Sequence, residues 1–219
     1  MSLFQDRTDA GKKLAPRLMA YATKPDVVVL GLPRGGVPVA DEVAHVLAAP
    51  LDVFVVRKLG VPGHRELAMG AIASGDVIVY NDPIIQELNI PQQAIERVID
   101  DEKQELNQRE KAYRGDRSVL ELAGKTVILV DDGLATGATM RAAVQAVRSH
   151  HPARLVVAVP VGSVSACQEI AETVDEMVCL ATPDPFWAVG SWYSDFSQTT
   201  DADVRQRLAK AETESKTHT

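Results

Sequence analysis

Short, unbroken apolar runs punctuate this chain. Asp26-Val-Val-Val-Leu30 lies between Pro25 and Gly31, and Leu51 to Val56, Lys125 to Asp131, Leu155 to Pro160 and Glu176 to Leu180 have the same character. Continuous rather than alternating apolar residues mark a strand buried on both faces. Val77 to Tyr80 reads as one more short strand. Helix-like stretches separate the runs: Asp6 to Ala22, weakened by Pro16, then Val37 to Ala48, Thr139 to Ser149 and Val164 to Thr173. Apolar strands alternating with helices predict an α/β fold on a mainly parallel, doubly wound sheet.

Two stretches depart from that rhythm. Pro91 to Tyr113 predicts one long helix, with Pro91 in its first turn. Ile95, Val98, Ile99 and Leu106 share a stripe, and Glu105 and Arg109 form an i,i+4 pair. Its second half is polar almost all round, so it is expected to project from the body or to pack on a second subunit. Residues 57–75 hold four glycines and one proline, which predicts a long mobile loop.

The stretches 32–36, 57–75, 132–138 and 181–196 each follow a predicted strand. Ligands of open parallel sheets bind beyond the carboxyl ends of the strands. These four stretches are therefore expected to converge on one site.

Composition narrows the function classes. With 219 residues, 46% hydrophobic and 24% charged, the chain is not a mostly disordered one. A single domain over 1–210 is expected, with an insertion at about 81–120 and a flexible tail at 211–219. The net charge of −7 and the lack of a basic run argue against a nucleic-acid partner. No stretch approaches the ~18 apolar residues of a spanning helix, so no membrane partner is expected. Met1 to Lys13 lacks the apolar segment of a secretory signal. Cys167 and Cys179 form no C-x-x-C spacing, and a cytoplasmic location is expected.

The strongest constellation is Val127 to Thr139, V-I-L-V-D-D-G-L-A-T-G-A-T. A buried strand ends at Asp131-Asp132, and a loop of small and hydroxyl residues opens a helix. Unpaired N–H groups at a helix start carry partial positive charge, so Ala135-Thr136-Gly137-Ala138-Thr139 suits a phosphate monoester. Thr136 and Thr139 add hydroxyl donors. The two acids just before this cup are acceptors for hydroxyls, or ligands for a metal. A ribose 5-phosphate satisfies both features. The plainer reading, an acidic turn before a capped helix, leaves the combination unexplained.

This segment closely resembles the 5-phosphoribosyl-1-pyrophosphate (PRPP) signature of type I phosphoribosyltransferases. The resemblance implies that Asp131 and Asp132 bind the ribose hydroxyls and that residues 135–139 bind the 5′-phosphate. Leu32-Pro-Arg-Gly-Gly36 resembles the family's pyrophosphate loop through Arg34, Gly35 and Gly36. Family members often hold a cis peptide before the basic residue, which here is Pro33–Arg34.

Arg57-Lys58 and the following L-G-V-P-G-H-R-E resemble the flexible lid of adenine phosphoribosyltransferases. That likeness implies catalytic roles for Arg57, Lys58 and Glu66. The segment P-D-P-F-W-A-V-G, with the later Asp195, resembles the base loop of hypoxanthine-guanine phosphoribosyltransferases. Phe186 matches the aromatic that stacks on the base, and Trp187 follows it. Filling of a core corner is the competing reading for Phe186, Trp187 and Trp192.

As a whole, the resemblance implies PRPP and a nucleobase as substrates and a small hood over the sheet, and a homodimer is expected because it is the common arrangement of symmetric enzymes. The resemblance also implies Mg2+, held by Asp131, Asp132 and Asp195. No general base is named by the motifs; Glu66 and Asp195 are the candidates. Ala135 stands where hypoxanthine-guanine enzymes carry an aspartate, and the long helix has no counterpart in the family. Two other classes stay open: a PRPP-sensing regulator without useful catalysis, and a hydrolase or phosphotransferase that uses the same cup.

Overall fold

A computed structural model describes residues 2–115 and 117–217, with the backbone alone for Arg65, Glu66 and 215–217. The first half holds α1 (Arg7–Leu14), a 3-10 turn over Ala15–Tyr21, β1 (Val27–Gly31), α2 (Gly36–Leu47), β2 (Leu51–Val53), β3 (Val56–Val61), β4 (His64–Ala73) and β5 (Val77–Tyr80). Then come α3 (Asp82–Glu87), α4 (Gln92–Arg114), β6 (Thr126–Val130), α5 (Ala138–Arg148), β7 (Arg154–Val161), α6 (Val164–Ala171), β8 (Glu176–Ala181), a 3-10 turn over Val189–Trp192 and α7 (Asp201–Thr217).

Five parallel strands form the central sheet in the order β2-β1-β6-β7-β8. Val29 lies opposite Ile128, and Ile128 opposite Val156. Alternate residues of each strand serve opposite faces, because side chains point up and down along a strand. Val27, Val29, Ile128, Val130, Val156 and Ala158 meet α1, α2 and α7 on one face. Val28, Leu30, Val127, Leu129, Val157 and Val159 meet α5 and α6 on the other. Burial on both faces is why these strands are continuously apolar, and the doubly wound expectation holds.

Pro16 shapes the first helix. Asp6 caps it by accepting from the Asp9 amide at 2.8 Å. The chain then tightens to 3-10 geometry from Ala15, where the proline removes a backbone donor.

Two expectations are corrected. Residues 57–75 are not a mobile loop. They pair as β3 and β4, joined through Pro62-Gly63, and β5 completes a three-stranded antiparallel sheet. Leu59, Val61, Met69 and Ile72 anchor this sheet in the core. The polar half of α4 does not project from the body. Arg114 at its end is buried against Asp52 of β2, with both Asp52 oxygens 3.0 Å from Nε, and donates to the Val53 carbonyl at 2.7 Å. Tyr113 donates to Asp201 at 3.0 Å.

The chain past 210 stays helical as far as Thr217. Val204 and Leu208 hold α7 in the core, and Arg207 reaches the buried Asp41 of α2 at 2.7 Å. In both helices particular polar side chains, Arg114 and Arg207 among them, are anchored by distant acids, which a reading of apolar periodicity does not detect.

Candidate active site

The carboxyl ends of β1 and β6 are neighbours, so the turns that follow them meet. Leu32 donates its amide to the Val130 carbonyl at 2.9 Å. A Cβ on Gly35 would overlap Asp132 Oδ2, and one on Gly36 would lie 2.7 Å from the Val130 carbonyl and 3.0 Å from Asp131 Oδ1. Only glycine allows the two turns this approach. The Pro33–Arg34 peptide is cis, as the resemblance implied. Gly35 thus stands directly beside Asp132 and Gly36 beside Asp131, with Arg34 preceding them in the same turn.

The two acids are unlike each other electrostatically. Burial, and then the neighbouring Asp132 charge, hold the Asp131 carboxyl well above the usual carboxylate range. Burial raises Asp132 as well, and the Arg7 guanidinium offsets only part of that rise, so this carboxyl also stays above the usual carboxylate range. Asp131 Oδ1 also accepts from the Asp132 amide at 2.8 Å.

Beyond the acids the chain opens a cup. Gly137 takes a positive φ of 70° and precedes α5 with no side-chain cap. Ala135, Thr136, Ala138 and Thr139 are exposed. The first turn of α5 carries no acidic residue, so its N–H groups face no competing carboxylate from their own helix. Arg141 braces the loop, donating to the Thr136 carbonyl at 2.9 Å and to Glu169 at 2.8 Å.

The cations of the antiparallel sheet behave differently from one another. Arg57 Nε donates to Glu102 of α4 at 2.7 Å, and its Nη2 lies 2.6 Å from the same oxygen. Lys58 is exposed and lines a cleft of about 420 Å3 together with Ala138 and Thr139 of the cup. It also lines a neighbouring cleft of about 800 Å3 with Arg57, Glu102 and Arg109. The Glu66 side chain lies outside the described residues. Arg34 is 3.8 Å from Asp201 of α7.

Residues 182–196 form the hood. Phe186 is half-buried against Trp192, with ring centroids 6.3 Å apart, whereas Trp187 is 79% exposed. Of the two, Trp187 has the freer ring. Asp195 is exposed and accepts from the Ser197 amide at 2.9 Å, which lowers its carboxyl below the usual range.

Among the described residues no three His, Cys, Asp or Glu side chains gather as a metal group, so Asp195 does not complete a cluster with Asp131 and Asp132. The pair by itself fits Mg2+. These are hard oxygen donors beside a cup for phosphate, and Mg2+ commonly takes one or two carboxylates plus substrate phosphates.

Four site residues carry no motif: Arg7, Tyr193, Glu102 and Asp201. Arg7 is 125 positions from Asp132 and donates to its Oδ2 at 2.7 Å. Tyr193 donates to the Asp132 carbonyl at 2.6 Å. Only tertiary structure brings these groups together.

The family model for the phosphoribosyl transferase domain matches residues 71–195. The chain belongs to the type I phosphoribosyltransferase family. Two Mycobacterium tuberculosis proteins, of strains CDC 1551 / Oshkosh and H37Rv, are provisionally named phosphoribosyl transferases and are each 49% identical over 211 residues. That alignment covers 96% of this chain and 47% of theirs, so the chain spans about half the length of these relatives.

The crystal structure of TT1426 from Thermus thermophilus matches this phosphoribosyltransferase fold with a TM-score of 0.84 and 43% identity, over 96% of this chain and 99% of that one. A Neisseria gonorrhoeae protein solved with bound ppGpp shares the fold alone, at TM-score 0.52 and 17% identity, over 96% of each chain. Among the described residues no helix is long and apolar enough to cross a membrane.

Proposed function

We propose that this phosphoribosyltransferase transfers the 5-phosphoribosyl group of PRPP to a nitrogenous base and releases pyrophosphate. One observation carries the reading. The Arg34-Gly35-Gly36 turn is packed against Asp131 and Asp132, and the acids lead straight into an open helix N-terminus at 135–139. A basic glycine turn, a pair of acceptors and an anion cup match, in order, a diphosphate, a ribose diol and a 5′-phosphate.

In the reaction the C1–oxygen bond to pyrophosphate breaks as a base nitrogen bonds to C1. Positive charge builds on the ribose and negative charge on the leaving group. Asp131 and Asp132 hold the hydroxyls and stabilise the cationic sugar. Arg34, Arg57 and Lys58 offer donors to the diphosphate, the two arginines as they exchange Asp201 and Glu102 for it. When bound, Mg2+ supplies neutralisation of the pyrophosphate charge. Trp187 offers its exposed face to the acceptor ring.

The test is pyrophosphate release from PRPP with Mg2+ against adenine, guanine, hypoxanthine, xanthine, uracil and orotate. Release dependent on one base is expected. A second reading, PRPP sensing without turnover, is favoured by one observation: Arg34 and Arg57 already face acidic partners within the chain itself. It predicts a rise in melting temperature with PRPP and silence across the panel.

A further inference from the structure

The helix α4, which has no counterpart in the resemblance, forms one wall of the cleft of about 800 Å3. Glu102, Glu105 and Arg109 line it from α4, and Arg57 and Lys58 line it from β3. The three α4 residues are three and four positions apart, the spacing of one helix face. The same stripe continues to Tyr113, whose hydroxyl donates to Asp201 at 3.0 Å. Asp201 in turn lies 3.8 Å from Arg34. One face of α4 therefore runs from Arg57, paired with Glu102, to Arg34, paired with Asp201. Burial and then the bond to Asp201 raise the Tyr113 hydroxyl, and the charges of Arg109 and Arg34 work against that rise, so both arginines stand near it.

Arg109 is the uncommitted charge of this line. It is exposed, and among the described residues no ion pair holds it, although Glu105 stands one turn before it. The acids of the cleft do not make it a cation site, because among the described residues no three His, Cys, Asp or Glu side chains gather as a metal group.

We infer that Arg109 is a substrate-binding residue for the diphosphate, so that α4 completes the subsite begun by Arg34, Arg57 and Lys58. The inference deepens the proposed PRPP reading and rests on it. Arg34 and Arg57 give up Asp201 and Glu102 when they turn to a diphosphate, and each exchange of one ion pair for another yields little. Arg109 gives up only water. Its bond to the diphosphate is therefore a larger net gain than either exchange, and its planar fork suits two phosphate oxygens at once.

The experiment titrates two fragments of PRPP, inorganic pyrophosphate and ribose 5-phosphate, each with Mg2+, by calorimetry into wild type, Arg109→Gln and Arg109→Lys. Pyrophosphate reports the diphosphate subsite, and ribose 5-phosphate reports the acids and the cup. Arg109→Gln is expected to bind pyrophosphate about ten-fold more weakly and ribose 5-phosphate within about two-fold of wild type. Arg109→Lys, which keeps the charge without the fork, is expected to fall between for pyrophosphate. Ile95, Leu106 and Tyr113 hold α4 in the core, so a change at the exposed Arg109 leaves the helix in place.

Equal pyrophosphate affinity in wild type and Arg109→Gln overturns the role of Arg109, whatever PRPP does. An equal loss of both fragments overturns it too, since that is the mark of a structural effect. Pyrophosphate binding that depends on Arg109, in a chain that binds no PRPP, keeps Arg109 as a diphosphate ligand and removes the proposed function. A wild type that binds neither fragment removes both.

Discussion

The two sides of the strand-end edge are built by opposite rules. Around 135–139 the donors are backbone N–H groups at a largely exposed helix start, where the Ala138 amide makes only a long 3.5 Å bond to Thr136 Oγ1. Around Arg34, Arg57 and Asp132 the groups are formal charges, and each faces a protein partner: Asp201, Glu102 and Arg7. The difference follows from desolvation. A helix N-terminus carries only partial charge and tolerates standing empty. A full charge in a half-buried turn needs a counter-charge. Phosphate binding in the cup is therefore simple filling, whereas diphosphate and diol binding exchange one partner for another. The polar α4, which has no counterpart in the resemblance, supplies one of those exchangeable partners through Glu102.

The largest expected effect breaks the contact between the two turns. In Gly35→Ala the new methyl group competes with the Asp132 carboxylate for the same space. Overpacking of this kind costs about 1–3 kcal/mol of stability. Displacement of the acid is expected to lower PRPP affinity by about 100-fold, read by calorimetry.

The next concerns the uneven acids. A carboxyl raised in the folded state contributes stability below its ordinary value of 3.8, and that contribution is lost as pH rises through the raised value. The amide introduced by Asp131→Asn does not titrate. This variant is therefore expected to melt above wild type at pH 8, with the gap closing toward pH 4. Each kcal/mol relieved corresponds to about 2–4 °C. Equal melting temperatures at every pH would show that Asp131 is not destabilised by its neighbour.

The smallest effect releases a partner. Glu102→Gln frees Arg57 from a partly exposed pair worth about 0.2–1 kcal/mol, so the KM for PRPP is expected to fall by about 1.5- to 5-fold with kcat little changed. A rise in KM would mean that Glu102 helps to bind substrate instead of holding Arg57 back.

The part of the fold that could be read in the sequence is the part that local pattern determines. The central strands are continuous apolar runs because they pack on both faces, and four of the five lie within a residue or two of where the runs place them, whereas the run Leu51 to Val56 overshoots β2 by three residues into β3. The adjacency of the Arg34 and Asp131 turns follows from strand order. Other features depend on distant pairings. In β3 and β4 the anchoring residues Leu59, Val61, Met69 and Ile72 are spaced by glycines and small side chains, which hide the alternation of a strand. The fixed end of α4 rests on Arg114 meeting Asp52, 62 positions away. Arg7 reaches Asp132 across 125 positions. No window of sequence contains both members of such a pair, so the partner of each site charge becomes visible only in three dimensions.

The most direct measurement is a calorimetric titration of PRPP with Mg2+ into wild type and into the double variant Asp131→Asn, Asp132→Asn. The account predicts saturable one-site binding to wild type. It predicts loss of that binding in a variant whose circular dichroism spectrum and cooperative melting are those of a folded protein. Equal binding by the two proteins would contradict the assignment of the sugar to these acids.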